Sequence, residues 1–444
     1  MNFQTPDALA SALARHAPRK VHTILEPAVG RGDLLRPFVV GHERELSKVV
    51  CVDNDRACIK HVKGRFISLS QNQLTAVAAN FLEWHSLARN LVFHQYFDCV
   101  VMNPPFGGRM ASLKRVDGDC FITPMEFSFR MVPIEIAFFA AAVQLVRSGG
   151  TILAILPAST ISAESTKWFR NYLFQVGSVR FVHELPRRSF PGVDGSFYFV
   201  VFERDRRRRH LRLANHNITD PELLDVKTAQ VKRHLRLDYA FNSARLRQQQ
   251  IAAARLDLSW TPLHKLALIS RGRIPAPFEC PCLHSTSFVG NRWVVPEQFS
   301  ATGHACAIPG DILAVRVSRR CYDSFSMFDG VCPVPCSDCI LIIRPTSMPN
   351  LNLLFALRVC LASEEDASLI VHGGTGARYM TVSSLCNILI PARLSIAFRK
   401  AFLCYSAAVQ SGNRPAMLTI EADVRGELAA SPGIGSASLR NSYV

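Results

Sequence analysis

With 444 residues the chain exceeds an ordinary single domain, so two or more packed units are expected, with enough apolar content for real cores. A formal net charge of +16 favours a polyanionic partner or an anionic surface; ribosomal RNA, DNA and acidic lipid all stay open at this level. Neither secretion nor membrane insertion is expected: residues 1–17 carry Gln4, Asp7, Arg15 and His16, unlike a basic and then apolar leader, and the most apolar region, 134–157, is broken by Gln144, Arg147 and Gly149-Gly150.

The 14 cysteines of such a chain read as reduced core residues. Cys332, Cys336 and Cys339, with Cys280-Pro281-Cys282 upstream, are close enough in sequence to consider zinc. Their spacing is irregular and lacks paired Cys-x-x-Cys knuckles, so no metal is expected.

In chain order, Thr5-Pro6-Asp7 precedes a helix expected over 7–17, with Leu9 and Leu13 at helical spacing and Thr5 or Asp7 as cap. A strand over 21–25 runs into Glu26-Pro27-Ala28-Val29-Gly30-Arg31-Gly32-Asp33, where Gly30 and Gly32 let backbone approach a ligand. A second strand, 48–52, ends in Asp53-Asn54-Asp55, about 20 residues beyond the glycines, where a doubly wound fold sets a carboxylate on ribose hydroxyls. Asp53 suits that role, and Asp55 a helix cap. A third unit over 76–84 carries Asn80-Phe81-Leu82.

The strand over 96–102 delivers Asn103-Pro104-Pro105-Phe106, a rigid turn closing at Gly107-Gly108. The prolines fix φ and remove two N–H donors, leaving the carbonyls of Asn103 and Pro104 able to accept hydrogen bonds from outside. An amide oxygen, a fixed carbonyl and the Phe106 ring together suit a planar ring with an exocyclic amino group; a plain proline turn after a core strand is the alternative. Residues 107–131 read as a long charged loop, either a lid or a DNA-facing segment, with Arg109, Lys114 and Arg115 available to phosphates.

An apolar helix over 134–146 is expected to end at Gly149-Gly150, before a strand over 151–156. Strands over 179–184 and 196–202 flank Phe190-Pro191-Gly192, and Phe197 and Phe199 compete with Phe190 for any exposed aromatic role. The run from Arg204 to His210, with four consecutive arginines, is either a solvated boundary or a phosphate track. A polar helix over 238–256 follows. Short strands and turns then dominate, around 263–268, 308–316, 338–343 and 385–391, with one helix over 352–361 and a glycine-rich turn at Gly373-Gly374-Thr375-Gly376. Residues 411–444 are rich in Gly, Ser and Ala and read as a weakly ordered tail.

Taken together, these stretches resemble gamma-group DNA adenine-N6 methyltransferases of the Asn-Pro-Pro-Phe type. Thr5 stands in motif X, Glu26 to Gly32 in motif I, Asp53 in motif II, Asn80-Phe81 in motif III, Asn103 to Phe106 in motif IV, residues 134–156 in motifs V and VI, and Phe190 in motif VIII. The second half resembles the target-recognition domains of type I restriction specificity subunits. The resemblance implies an α/β fold: a Rossmann-like methyltransferase domain over 1–210, a connector over 211–257, a β-rich target-recognition domain over 258–410 and a flexible tail over 411–444.

It further implies S-adenosylmethionine as methyl donor, held by Thr5, Glu26, Pro27, Ala28, Gly30, Gly32, Asp53, Asn80 and Phe81, with Asn103, Pro104, Pro105 and Phe106 catalytic and Phe106 and Phe190 facing a flipped adenine. Arg31 between the glycines and Asn80 in place of Asp depart from the family pattern. The implied partners are double-stranded DNA and a cognate restriction endonuclease, for a monomer in the cytoplasm of a prokaryote or encoded by a phage. RNA or protein glutamine as substrate, and a catalytically inactive DNA-binding relative, remain as alternatives; Asn at 103 leans toward adenine over cytosine.

Overall fold

Runs of buried, largely aliphatic residues that leave neither face to water are the mark of parallel strands covered by helices on both sides. A computed structural model describes residues 5–430 apart from 92, 107–112, 119–120, 122–128, 191–194, 274–280, 291, 298, 300–304, 319 and 373–377. Gly107, Gly108, Arg109, Pro191, Gly192, Cys280 and Gly373-Gly374-Thr375-Gly376 of the sequence reading lie outside the described residues. The chain divides into two compact units, the first closing at Tyr239.

In the first unit, α1 (Asp7–Ala14) leads to β1 (Thr23–Glu26), α2 (Arg36–Val39), β2 (Lys48–Asp53), α3 (Arg56–Arg65), β3 (Leu74–Ala78), α4 (Phe81–Leu91) and β4 (Phe97–Met102). The segment expected to be a loop contributes an antiparallel hairpin, β5 (Leu113–Asp117) with β6 (Phe129–Pro133). Val116 and Val132 bury one of its faces, an alternation too short to stand out in a charged sequence. Then follow α5 (Ile134–Leu145), β7 (Val146–Pro157), α6 (Ala158–Ser162), α7 (Lys167–Val176), β8 (Gly177–Glu184), β9 (Phe197–Arg204), β10 (His210–Ala214) and β11 (Leu223–Lys227).

Nine strands form one mixed sheet in the order β11-β10-β8-β9-β7-β4-β1-β2-β3, the α/β fold expected. β1, β2, β3, β4 and β7 are parallel; β9 is antiparallel to β7 and β8. The stretch after residue 210, expected to be connector, thus supplies strands β10 and β11. Gly149-Gly150 does not end a helix: it lies within β7, where the register slips so that Phe97 pairs with Val146 but Cys99 with Thr151. Gly149 takes φ +74°, and a Cβ on Gly150 would come within 3.0 Å of the Asp98 carbonyl oxygen.

The arginine run lies at the end of β9, level with the amino ends of β7 and β8, away from the carboxyl ends of the parallel strands. Arg204, buried, donates to the carbonyls of Val143 (3.0 Å) and Val146 (2.7 Å) at the end of α5. Arg207 donates to those of Gln175 (2.7 Å) and Gly177 (3.1 Å) at the end of α7, and Arg208 pairs with Glu203 through two hydrogen bonds. Two of these arginines therefore cap helix C-termini, satisfying carbonyls that the helices leave open and complementing their dipoles. Sequence shows the charges but not the helix ends they meet.

In the second unit, Tyr239–Ala254 is the expected polar helix, and a four-stranded antiparallel sheet joins Ala267–Arg271, Ile340–Pro345, Ile312–Val315 and Ser326–Met327. Helix Asn350–Cys360 is buried against them. The expected tail contains helix Arg414–Ala429, which buries Met417, Glu421, Val424 and Leu428 on one face. Glu421 pairs with Arg358 inside the core. Among the described residues no helix is long and apolar enough to cross a membrane.

β4 is pinned at its amino end by Asp98, whose carboxylate accepts from the backbone N–H of His22 (2.8 Å) and Thr23 (2.9 Å) and from Arg147 Nε (2.6 Å). Burial works to raise this carboxyl, but Arg147 and the two N–H groups outweigh it and hold it below the usual range. A lowered native affinity for protons contributes stability above the ordinary carboxylate range, and this is lost as pH falls through it. Asp98→Asn is expected to cost about 2 kcal/mol at pH 7, read from the denaturant midpoint. The gap to the parent should narrow below about pH 4; a gap that is constant with pH would refute the clamp.

Candidate functional site

The chain leaves β1 toward β2 and β3 on one side and places β4 and β7 on the other, so a crevice opens outside the carboxyl ends of β1 and β4, where ligands of open α/β sheets bind. Three strand ends meet this edge: Glu26 of β1, Asp53 of β2 and Met102 of β4, with Asn103 next in the chain.

The loop after β1 is tied down by its neighbour. Val29 N–H donates to the Val52 carbonyl (3.1 Å), and Gly30 N–H to Asp53 Oδ2 (2.8 Å). The other Asp53 oxygen accepts from Asp55 N–H (2.9 Å), and Asp55 caps α3 through Ala57 N–H, as its position suggested. Asp53 therefore spends one lone pair of each oxygen on shaping the crevice and keeps others for a ligand. Gly30 and Gly32 both have positive φ, +51° and +76°, but differ in surroundings: a Cβ on Gly30 meets nothing within 4 Å, whereas one on Gly32 would lie 2.8 Å from the Phe66 ring. Gly30 is thus open toward the crevice, and Gly32 is a packing glycine. Pro27 is buried, Ala28 half-buried and Arg31 exposed.

Glu26 is 1% exposed and its Oε2 has no hydrogen-bond partner. Burial, with Asp33 and Asp53 nearby, pushes its carboxyl well above the usual range. The open oxygen at the end of β1 is left able to accept a hydrogen bond from a ligand.

Asn103 emerges from a strand buried along its whole length. Its Nδ2 donates to Thr5 Oγ1 (3.1 Å), so the amide plane is fixed by a residue 98 positions away. Its Oδ1 is buried and without a partner. Pro104 is buried, Pro105 exposed and Phe106 half-buried. Thr5, expected to touch the methyl donor, orients the amide, a contact that no local spacing encodes.

The Phe106 ring stands 5.0 Å from Phe197, at the start of β9, with 44° between the planes. Phe190 is 1% exposed, its ring 5.0 Å from Phe197 at 74°. Phe197, 4% exposed, thus touches both Phe106 and Phe190, and it is the aromatic neighbour that sequence reading left unassigned. Its position opposite Pro157, at the carboxyl end of β7, was the available signal. Asn80 is exposed and its Oδ1 accepts from Leu82 N–H (3.0 Å), making it a cap for α4. Phe81 is buried, with its ring 4.9 Å from that of Phe138 on α5. Glu135 lies in the first turn of α5, in a stretch whose sequence signals only an apolar helix. Among the described residues no group of three or more His, Cys, Asp or Glu is arranged to hold a metal.

No curated protein matches the chain. Among solved structures, the type IIL restriction-modification enzyme MmeI in complex with DNA is similar over 94% of this chain and 71% of its own, at 12% identity and a TM-score of 0.54, a likeness of fold. The type IIG restriction endonuclease BpuSI aligns with 95% of this chain at 16% identity and a TM-score of 0.47, and the chain spans 64% of its length. A type I restriction-modification system methyltransferase subunit from Streptococcus thermophilus aligns over 48% of this chain and 47% of its own, at 17% identity and a TM-score of 0.40. The segment that contains Asp53, Asn80, the Asn103 turn and Phe190, residues 46–190, matches the family model of the Eco57I restriction-modification methylase.

Proposed function

We propose that the chain is an S-adenosylmethionine-dependent DNA methyltransferase that methylates the exocyclic N6 of an adenine turned out of the duplex, in restriction-modification or a related defence. The observation that carries this reading is Asn103: an amide at the end of a buried central strand, oriented by Thr5, with its oxygen unpartnered beside two prolines and the Phe106 ring. The family match over 46–190 supports it. On this reading residues 258–410 recognise the DNA target, a cognate endonuclease is the partner protein and the chain acts as a monomer.

The crevice fits the methyl donor: Gly30 is open, Asp53 retains acceptor capacity for ribose hydroxyls, and Glu26 keeps an oxygen free. When bound, S-adenosylmethionine supplies an electrophilic methyl group. Asn103 Oδ1 and the Pro104 carbonyl accept the two hydrogens of the adenine amino group, drawing its nitrogen away from planarity and freeing the lone pair. Phe106 stacks on the base and offsets part of the few kcal/mol that unstacking costs. Holding the nitrogen against the methyl donor contributes the remainder, with no covalent enzyme intermediate.

Methyl transfer from labelled S-adenosylmethionine to unmethylated genomic DNA, followed by nucleoside analysis, tests the reading. The parent is expected to make N6-methyladenine and Asn103→Ala at least about 100-fold less, with cofactor binding retained. Transfer to RNA or protein instead would move the substrate, and no cofactor binding at all would leave a non-catalytic relative. The two glycines should separate in calorimetric titration with S-adenosylhomocysteine. Gly30→Ala is expected to weaken binding about tenfold while costing the fold about 1 kcal/mol of left-handed strain. Gly32→Ala should destabilise the protein itself by about 2–4 kcal/mol, strain and the Phe66 clash combined, seen as a drop in Tm.

A further inference from the structure

Glu135 is 3% exposed, and its Oε2 has no hydrogen-bond partner. A buried carboxyl with an open oxygen is costly, and such a group calls for an explanation.

Its place in the fold supplies one. α5 runs directly into β7, which is parallel to β4, so the first turn of α5 stands on the carboxyl side of the sheet, the side of Asn103 and Asp53. Phe138, one turn further along the same helix face, packs its ring 4.9 Å from Phe81, the first residue of α4 after β3. Glu135 is thereby on the face of α5 that turns toward the end of β3. A ribose held at the end of β2 by Asp53 directs its base to that same end. Asn80, which the family resemblance sets against the adenine, is exposed and uses one lone pair of its side-chain oxygen to cap α4 through Leu82 N–H, so a buried carboxyl on this side is a second acceptor for the base edge.

Resting on the methyltransferase reading above, we infer that Glu135 binds the cofactor, its carboxyl oxygen accepting a hydrogen bond from the exocyclic amino group of the adenine ring. Burial pushes this carboxyl up to about 7, which limits the charge brought against an apolar wall while leaving a carbonyl oxygen to accept. Placement in the first turn of a helix also favours whatever negative charge it carries.

The test is calorimetric binding of S-adenosylhomocysteine and of its analogue with unsubstituted purine in place of adenine, to the full-length parent, Glu135→Gln and Glu135→Leu, each checked by thermal unfolding without ligand. The parent should prefer the amino-bearing compound about tenfold. Glu135→Gln, whose amide oxygen still accepts, should keep the preference; Glu135→Leu should bind both compounds alike, with a Tm equal to or above the parent's. Retention of the preference by Glu135→Leu, its loss in Glu135→Gln, or equal weakening of both compounds by Glu135→Leu overturns the assignment and leaves the cofactor reading standing. Failure of the parent to bind either compound overturns both.

Discussion

Strand β4 is held by side chains at both ends, and the arrangement of the crevice depends on that double attachment. Asp98 draws the backbone of His22 and Thr23 and the guanidinium of Arg147 onto its amino end, joining β4 to β1 and β7. At the other end Thr5 fixes the Asn103 amide. Between them the strand is wholly buried, so it has no room to slide. A shift of one residue would turn Asn103 to the other face and open the clamp at Asp98.

The same economy of polar groups runs through the first unit. Part of a conspicuous basic run serves the protein: Arg204 and Arg207 close the carbonyl ends of α5 and α7. Both helices cover the sheet, so their C-termini lie where water cannot satisfy every carbonyl, and a long guanidinium can. Net positive charge therefore overstates what is available to a polyanion on this edge of the sheet.

Acidic groups at the carboxyl edge behave in the opposite way. Glu26 and Glu135 are buried, shifted toward the neutral acid and each left with an unpartnered oxygen, whereas Asp98 at the amino edge is fully engaged and held ionised. An engaged carboxylate such as Asp98 holds the fold, whereas the two acids at the carboxyl edge are left with acceptor capacity that the fold does not use. Asp53 stands between these cases, shaping the glycine loop with one lone pair of each oxygen.

Sequence by itself determined the parallel strands, because runs such as residues 99–102 of β4 are apolar without interruption and only a sheet covered on both faces buries them. It also determined that an amide and two prolines follow such a strand, since the turn is written in contiguous residues. Tertiary structure alone decided the rest. Phe190, Phe197 and Phe199 look alike in sequence, and only the packing of β9 sets Phe197 against both Phe106 and Phe190. Helix Arg414–Ala429 is hidden in the sequence because its buried face carries Glu421, whose partner Arg358 is 63 residues away. Thr5 and Asn103, the cap made by Arg204 and the surroundings of Glu135 share this origin: each joins positions far apart in the chain, and local periodicity holds no record of contacts that exist only once the sheet has closed.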